Sequence, residues 1–220
     1  MKRSGWTRTI LAVAFAGATF TNAQAQRARP AVPAAPGPAA RAPEGMTLKL
    51  KHLPRLGRAT LQRTPDYNAT GSRAARQPRE WAVIDVPFVT APEWMDEIAF
   101  TFHVMSERVG PDGKKEYSLY ETTVRYIDVA RGEHLASVVL PPGAVLRYGE
   151  PKALAVEVAG ADGAPLAADA KSDIASLPAD WWKNPKVTDN ASVVKRQGCL
   201  VDRTKTPFAN LNVDDYEMVK

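Results

Sequence analysis

An all-β antiparallel sandwich is the fold class this sequence predicts, and three observations predict it. Apolar and polar residues alternate with period two over full strand lengths, Gly and Pro punctuate the chain at short intervals, and helix-forming runs with an apolar stripe are scarce. The architecture that follows is an immunoglobulin-like β-sandwich with one or two short helical turns, spanning residues 46–220.

Two segments precede it. Lys2, Arg3 and Arg8 lead into an uncharged apolar run, Ile10 to Phe20, followed by the small-x-small site Ala23-Gln24-Ala25. This pattern predicts a signal peptide over 1–25, and the run is short of the about 20 residues of a membrane span. Residues 26–45, "QRARPAVPAAPGPAARAPEG", offer few side chains to bury and read as an extended Pro/Ala-rich tether. The expected location is periplasmic, secreted or outer-membrane-associated, peripheral to a membrane at most.

The pI of 9.3 invites a nucleic-acid reading, which the placement of the charge opposes. Of 29 Lys and Arg, three lie in the leader and three, Arg27, Arg29 and Arg41, in the tether; of 24 Asp and Glu, only Glu44 precedes residue 46. The rest of the chain carries equal numbers of each sign, where a nucleic-acid binder needs a concentrated basic face. The single cysteine, Cys199, excludes an intramolecular disulfide, so a hydrophobic core must hold the domain. In the apolar-flanked stretch "GCLV" it reads as a buried free thiol.

The strands follow in order. "MTLKLKHL" suits an edge strand with protective lysines. "EWAVIDVPFV" places Ala82, Ile84, Val86 and Phe88 on one face, and "EIAFTFHV" does the same with Ile98, Phe100, Phe102 and Val104. Pro111-Asp112-Gly113 is a turn that joins the second of these to "EYSLYETTVRYIDV" as a hairpin. "EHLASVVL", "AVLRYG" and "KALAVEVAG" read as further strands, Ala167 to Asp180 as a weak helix stopped by Pro178, "PADWWKNP" as one helical turn, and the end as one or two strands broken at Pro207.

Candidate chemistry is sparse. "EWMDEIAFTFHVM" gathers Glu93, Asp96, Glu97 and His103, but neighbouring carboxylates in a strand point to opposite faces, and His103 lies about 20 Å beyond Glu97. The expectation is that Trp94 plugs the sandwich entrance, the acids are solvated, and His103 sits on the less apolar face. His52, His103 and His134 lack ligand spacing, Ser106 and Ser118 read as surface groups, and no nucleophile or phosphate-loop motif is present. No catalytic, cofactor-binding or metal-binding residue is assigned.

The stretches Glu80 to Phe88, Glu93 to Phe100, Tyr117 to Tyr120, Leu146 to Gly149, Trp181-Trp182, Thr206 to Ala209 and Asp215 to Met218 resemble a family of exported immunoglobulin-like proteins, the Akkermansia type, encoded beside type IV pilus-like genes. The resemblance covers roughly residues 79–220. It implies a non-enzymatic role in assembling a pilus-like or secretion apparatus, with protein partners or further copies of the same chain. The physical counterpart is an open sheet edge, which offers backbone donors and acceptors to a partner strand, and the stretch Phe208 to Val219 is expected to pair with such an edge. The expected contact residues for a partner or glycan are Trp181, Trp182, Phe208 and Tyr216. A carbohydrate-binding module using exposed Trp is the alternative, and a hydrolase built from spatially gathered His and acid residues is a third reading.

Overall fold

The structure, a computed structural model, describes residues 48–65 and 79–220. The expected signal peptide and tether lie outside the described residues.

The chain runs β1 (Leu48–Leu50), a 3-10 turn at Gly57–Thr60, β2 (Leu61–Arg63), β3 (Glu80–Val109), β4 (Lys115–Leu140), α1 (Pro142–Tyr148), β5 (Glu150–Gly160), β6 (Pro165–Ser172), α2 (Pro185–Thr188), β7 (Val193–Arg196), β8 (Val201–Asp202) and β9 (Met218–Val219). One sheet holds every strand, with the main order β6-β5-β3-β4-β7. β1 and β2 pair with the first part of β3, and β8 and β9 with β4.

The two runs expected as separate strands before the turn are one 30-residue strand, and the two after it are also continuous. The ribbon bends where Thr90 pairs with Gly132 and Trp94 with Ala130. Three residues of β3 there face one of β4, which is a bulge, and Pro92 sits where no ladder N–H is required. Side chains satisfy the backbone groups this frees. Thr90 Oγ1 donates to the Ala130 carbonyl at 2.6 Å and accepts from Gly132 N at 3.2 Å, and Arg131 Nε donates to the Ala91 carbonyl at 2.6 Å.

The bend turns one sheet into a sandwich. Ala82, Ile84, Val86 and Phe88 on one limb and Ile98, Phe100, Phe102 and Val104 on the other are fully buried in a single core, with Leu154, Val156 and Val158 of β5. The all-β sandwich class holds, with two limbs of one sheet as its layers.

Two smaller clusters lie on the outer faces. Trp181 packs with Met105, Leu119, Ala153, Ala155 and Ile174, and Phe208 packs with Val83 and Val139. The chain after β6 thus covers one outer face with Trp181 and another with Phe208.

Four local expectations are corrected. "AVLRYG" is part of helix α1, because Pro142 takes the N1 or N2 position and Gly149 (φ 90°) closes the end, its N–H on the Val145 carbonyl. Residues 167–172 belong to β6 instead of a helix, since pairing with β5 overrides a modest helix propensity, and residues 173–180 are turns and irregular chain. Ser106 and Ser118 are buried, and Ser106 Oγ donates to the Tyr148 carbonyl at 2.9 Å. Trp94 is 61% exposed at the bulge and plugs nothing.

Candidate functional site

Strand register builds the most elaborate polar site. His103 of β3 stands between Glu121 of β4 and Ala155 of β5, and the neighbouring row aligns Thr123, Thr101 and Glu157. All point to the outer face by the alternation that sends Phe102 and Val104 inward. The His103 Nδ1 lies 3.6 Å from Glu121 Oε2, and its Nε2 lies 3.3 Å from Glu157 Oε2. The second oxygen of Glu157 is held by Lys183 Nζ at 2.5 Å. Burial pushes the Glu157 carboxyl up, but the hydrogen bond and charge of Lys183, with His103, outweigh it and hold it below the usual carboxylate range.

His103, Glu121 and Thr123 of these rows form the floor of a groove of about 520 Å³. Leu119, Glu121, Thr122 and Thr123 line it from β4, Trp182 and Thr188 from one wall, and Lys195, Arg196 and Gln197 from the other. Both walls are fixed in place. The Arg196 guanidinium lies 3.9 Å over the Tyr148 ring, and its Nε donates to Ser118 Oγ at 3.3 Å. Lys195 Nζ bonds Asp189 Oδ1 at 2.8 Å, and the Asn184 side chain caps α2 through Lys186 N at 3.0 Å. Trp182 packs edge-on against Trp181 at 6.1 Å, and neither indole N–H has a hydrogen-bond partner among the described residues. The groove also reaches a gap in the sheet: β7 runs beside β4 as far as Tyr120, β9 begins beside Tyr126, and Glu121–Val124 has no strand on that side among the described residues.

This arrangement suits holding a ligand better than proton transfer. Both His103 nitrogens face carboxylates. A general acid needs a raised carboxyl value, and that of Glu157 is lowered. Among the described residues no group of three His, Cys, Asp or Glu is placed to hold a metal ion.

The other expected contact residues divide. Trp181 and Phe208 are 1% exposed, so both act as anchors under the surface; Trp182 and Tyr216 are half-buried. Tyr216 belongs to a clamp formed by the end of the chain along β4 of the same chain. Met218 and Val219 pair with Ile127 and Tyr126, and Tyr216 bridges Leu135. The Arg203 guanidinium lies 3.7 Å over the Tyr216 ring, and His134 Nδ1 meets Glu217 Oε1 at 2.5 Å. Burial and then the charge of Asp85 push the Tyr216 phenol up to about 12, against the opposing charge of Arg203. Sequence reading placed His103 on the outer face and missed Glu121 and Glu157. A hairpin register counted outward from Asp112 as the single central residue pairs His103 with Glu121; nothing local points to Glu157.

Comparison with known proteins supplies the relationship. A crystal structure of a protein from Akkermansia muciniphila superposes with a TM-score of 0.63, covering 80% of this chain and 93% of that one at 23% identity, a likeness of fold. A family model matches residues 58–220, well over half of the chain. The chain belongs to this Akkermansia-type family. No curated protein matches it. Within this Akkermansia-type chain, the matched stretch includes both the groove and the carboxy-terminal clamp.

Proposed function

We propose that this Akkermansia-type protein is a non-enzymatic structural module of an envelope-associated assembly, of type IV pilus-like or secretion type, acting in the periplasm or at the outer surface. One observation carries the reading. β7 ends the sheet, pairs only with β4 among the described residues, and exposes Val194 at 44% beside it. An edge of this kind offers its outward backbone groups to a partner strand. β6, at the opposite end, begins at Pro165 and carries Asp169 and Lys171, residues that discourage strand addition. No helix among the described residues is long and apolar enough to cross a membrane.

The test is a photo-crosslinking residue at position 194 of the full chain, expressed in the envelope of its source cell, with captured partners identified by mass spectrometry. Pilin-like or secretin-like proteins, or a second copy of the chain, are expected. Capture of none of these from position 194, with equal yields from a control position on β6, would remove the reading.

A further inference from the structure

We propose that the groove over His103 is a saccharide-binding site for one or two uncharged sugar units, a role that goes beyond the assembly reading and stands separately from it. Its volume, about 520 Å³, falls in the range of small-ligand sites, about 300–1,000 Å³.

The groups facing the groove that remain without a partner match a polyhydroxyl ligand. The Gln197 side chain makes no hydrogen bond among the described residues, so an amide carbonyl and an amide NH2 are available. Glu121, with a side chain 66% exposed, is held only at 3.6 Å by His103 and keeps acceptor capacity. Sugar hydroxyls both give and accept hydrogen bonds, so a mixed set of carboxylate and amide satisfies them where a purely cationic or apolar lining would not. Leu119 and the Trp182 ring supply apolar surface for sugar C–H faces.

The charges decide the ligand class. Among the lining groups, Lys195 is engaged by Asp189, and Arg196 is stacked on Tyr148 with its Nε on Ser118. Arg196 and Glu121 leave one charge of each sign in the lining, which suits an uncharged ligand better than a strongly anionic or cationic one. The floor lies on two paired strands and the walls are pinned, so little ordering accompanies binding.

The experiment is a titration of the purified full chain with chitotetraose, cellotetraose and mannotetraose, with polygalacturonate as the acidic control, followed by Trp fluorescence and by backbone amide shifts. At least one neutral tetrasaccharide should shift the amides of Glu121–Val124 and Gln197 and change the Trp emission. Glu121→Gln and Gln197→Ala should each weaken binding about tenfold or more while the melting temperature stays with the parent. Trp182→Phe should reduce the emission change. Absence of any response to the neutral sugars at millimolar concentration would overturn the proposal. So would a response to polygalacturonate alone, or binding of an extended hexapeptide across Glu121–Val124 without any sugar response.

Discussion

Phe88 and Phe100 stand on opposite limbs of one strand, and their ring centroids lie 4.8 Å apart. The bulge between Thr90 and Trp94 makes this possible, since an unbent ribbon of that length would carry the two rings far apart. Each ring is fully buried, and Phe100 also meets Tyr126 edge-on at 5.6 Å. Phe100→Ala should therefore destabilise by about 3–5 kcal/mol, in the range for large-to-small core changes. Thr90→Val, which keeps shape but removes the hydroxyl that bridges Ala130 and Gly132, should cost about 1–3 kcal/mol for the polar groups it leaves unpaired. Urea unfolding followed by circular dichroism measures both. A Thr90→Val variant with the parent's midpoint would show that the bend does not depend on this hydroxyl.

The end of the chain is a structural clamp. Phe208 covers Val83 and Val139, Glu217 meets His134, and Lys220 and Arg125 converge on Glu97. Truncation before Phe208 should lower the melting temperature sharply or prevent folding, and Phe208→Ala alone should cost about 3–5 kcal/mol. Calorimetry of the truncated chain is the check, and melting at the parent temperature would show that the clamp adds nothing.

Acid should weaken the fold through two carboxylates. Glu157 and Asp202 are held below their usual range: burial acts upward in each and is outweighed, by Lys183 and His103 for Glu157 and by Lys205 and Thr204 for Asp202. A lowered folded value gives stabilisation that is present above the unfolded value, about 4, and is lost as pH falls through the folded one. The melting temperature should hold from neutral pH to about pH 5 and decline below about pH 4. Asp202→Asn should shallow that decline, and a decline as steep as the parent's would assign it to other groups.

Gly149 is a position where only glycine fits. Its φ is 90°, and a Cβ there would lie 2.1 Å from the Glu107 carbonyl oxygen. Gly149→Ala should displace α1 from the end of the sheet and destabilise by more than about 1 kcal/mol, whereas a Gly→Ala change at a compatible backbone stabilises by about 0.4–1 kcal/mol. Thermal melts compared with Gly143→Ala, a site with open space around the Cβ, separate the two effects.

The core was legible because alternation is a local property. Ile84, Val86 and Phe88 declare their face in five residues, and every residue of both predicted apolar rows is buried. The bend was not legible: "TAPEW" reads as a break between strands, and only pairing with Ala130 and Gly132 shows that the strand continues through it. α1 carried its Pro and Gly boundary marks, but its short apolar run equally fitted a strand. The groove was hidden for a different reason. His103 and Glu157 are 54 residues apart, and a contact between strands joined through a third depends on registers that local sequence does not encode. The fate of the Trp pair depended on loop packing, which buried Trp181 and left Trp182 half-buried.

The long hairpin also bears on how the molecule reaches its shape. β3 and β4 meet through a tight turn at Pro111 to Gly113, and their ladder runs from there past the bulge to Leu140. Zippering outward from that turn brings successive pairs together with little added loop-closure entropy, although the final partners are far apart in sequence. The same route sets one alignment for both layers at once. A slip of one residue near Val109 and Lys115 would turn the oily rows of both limbs toward water, so a few residues beside a surface turn govern the assembly of the whole interior.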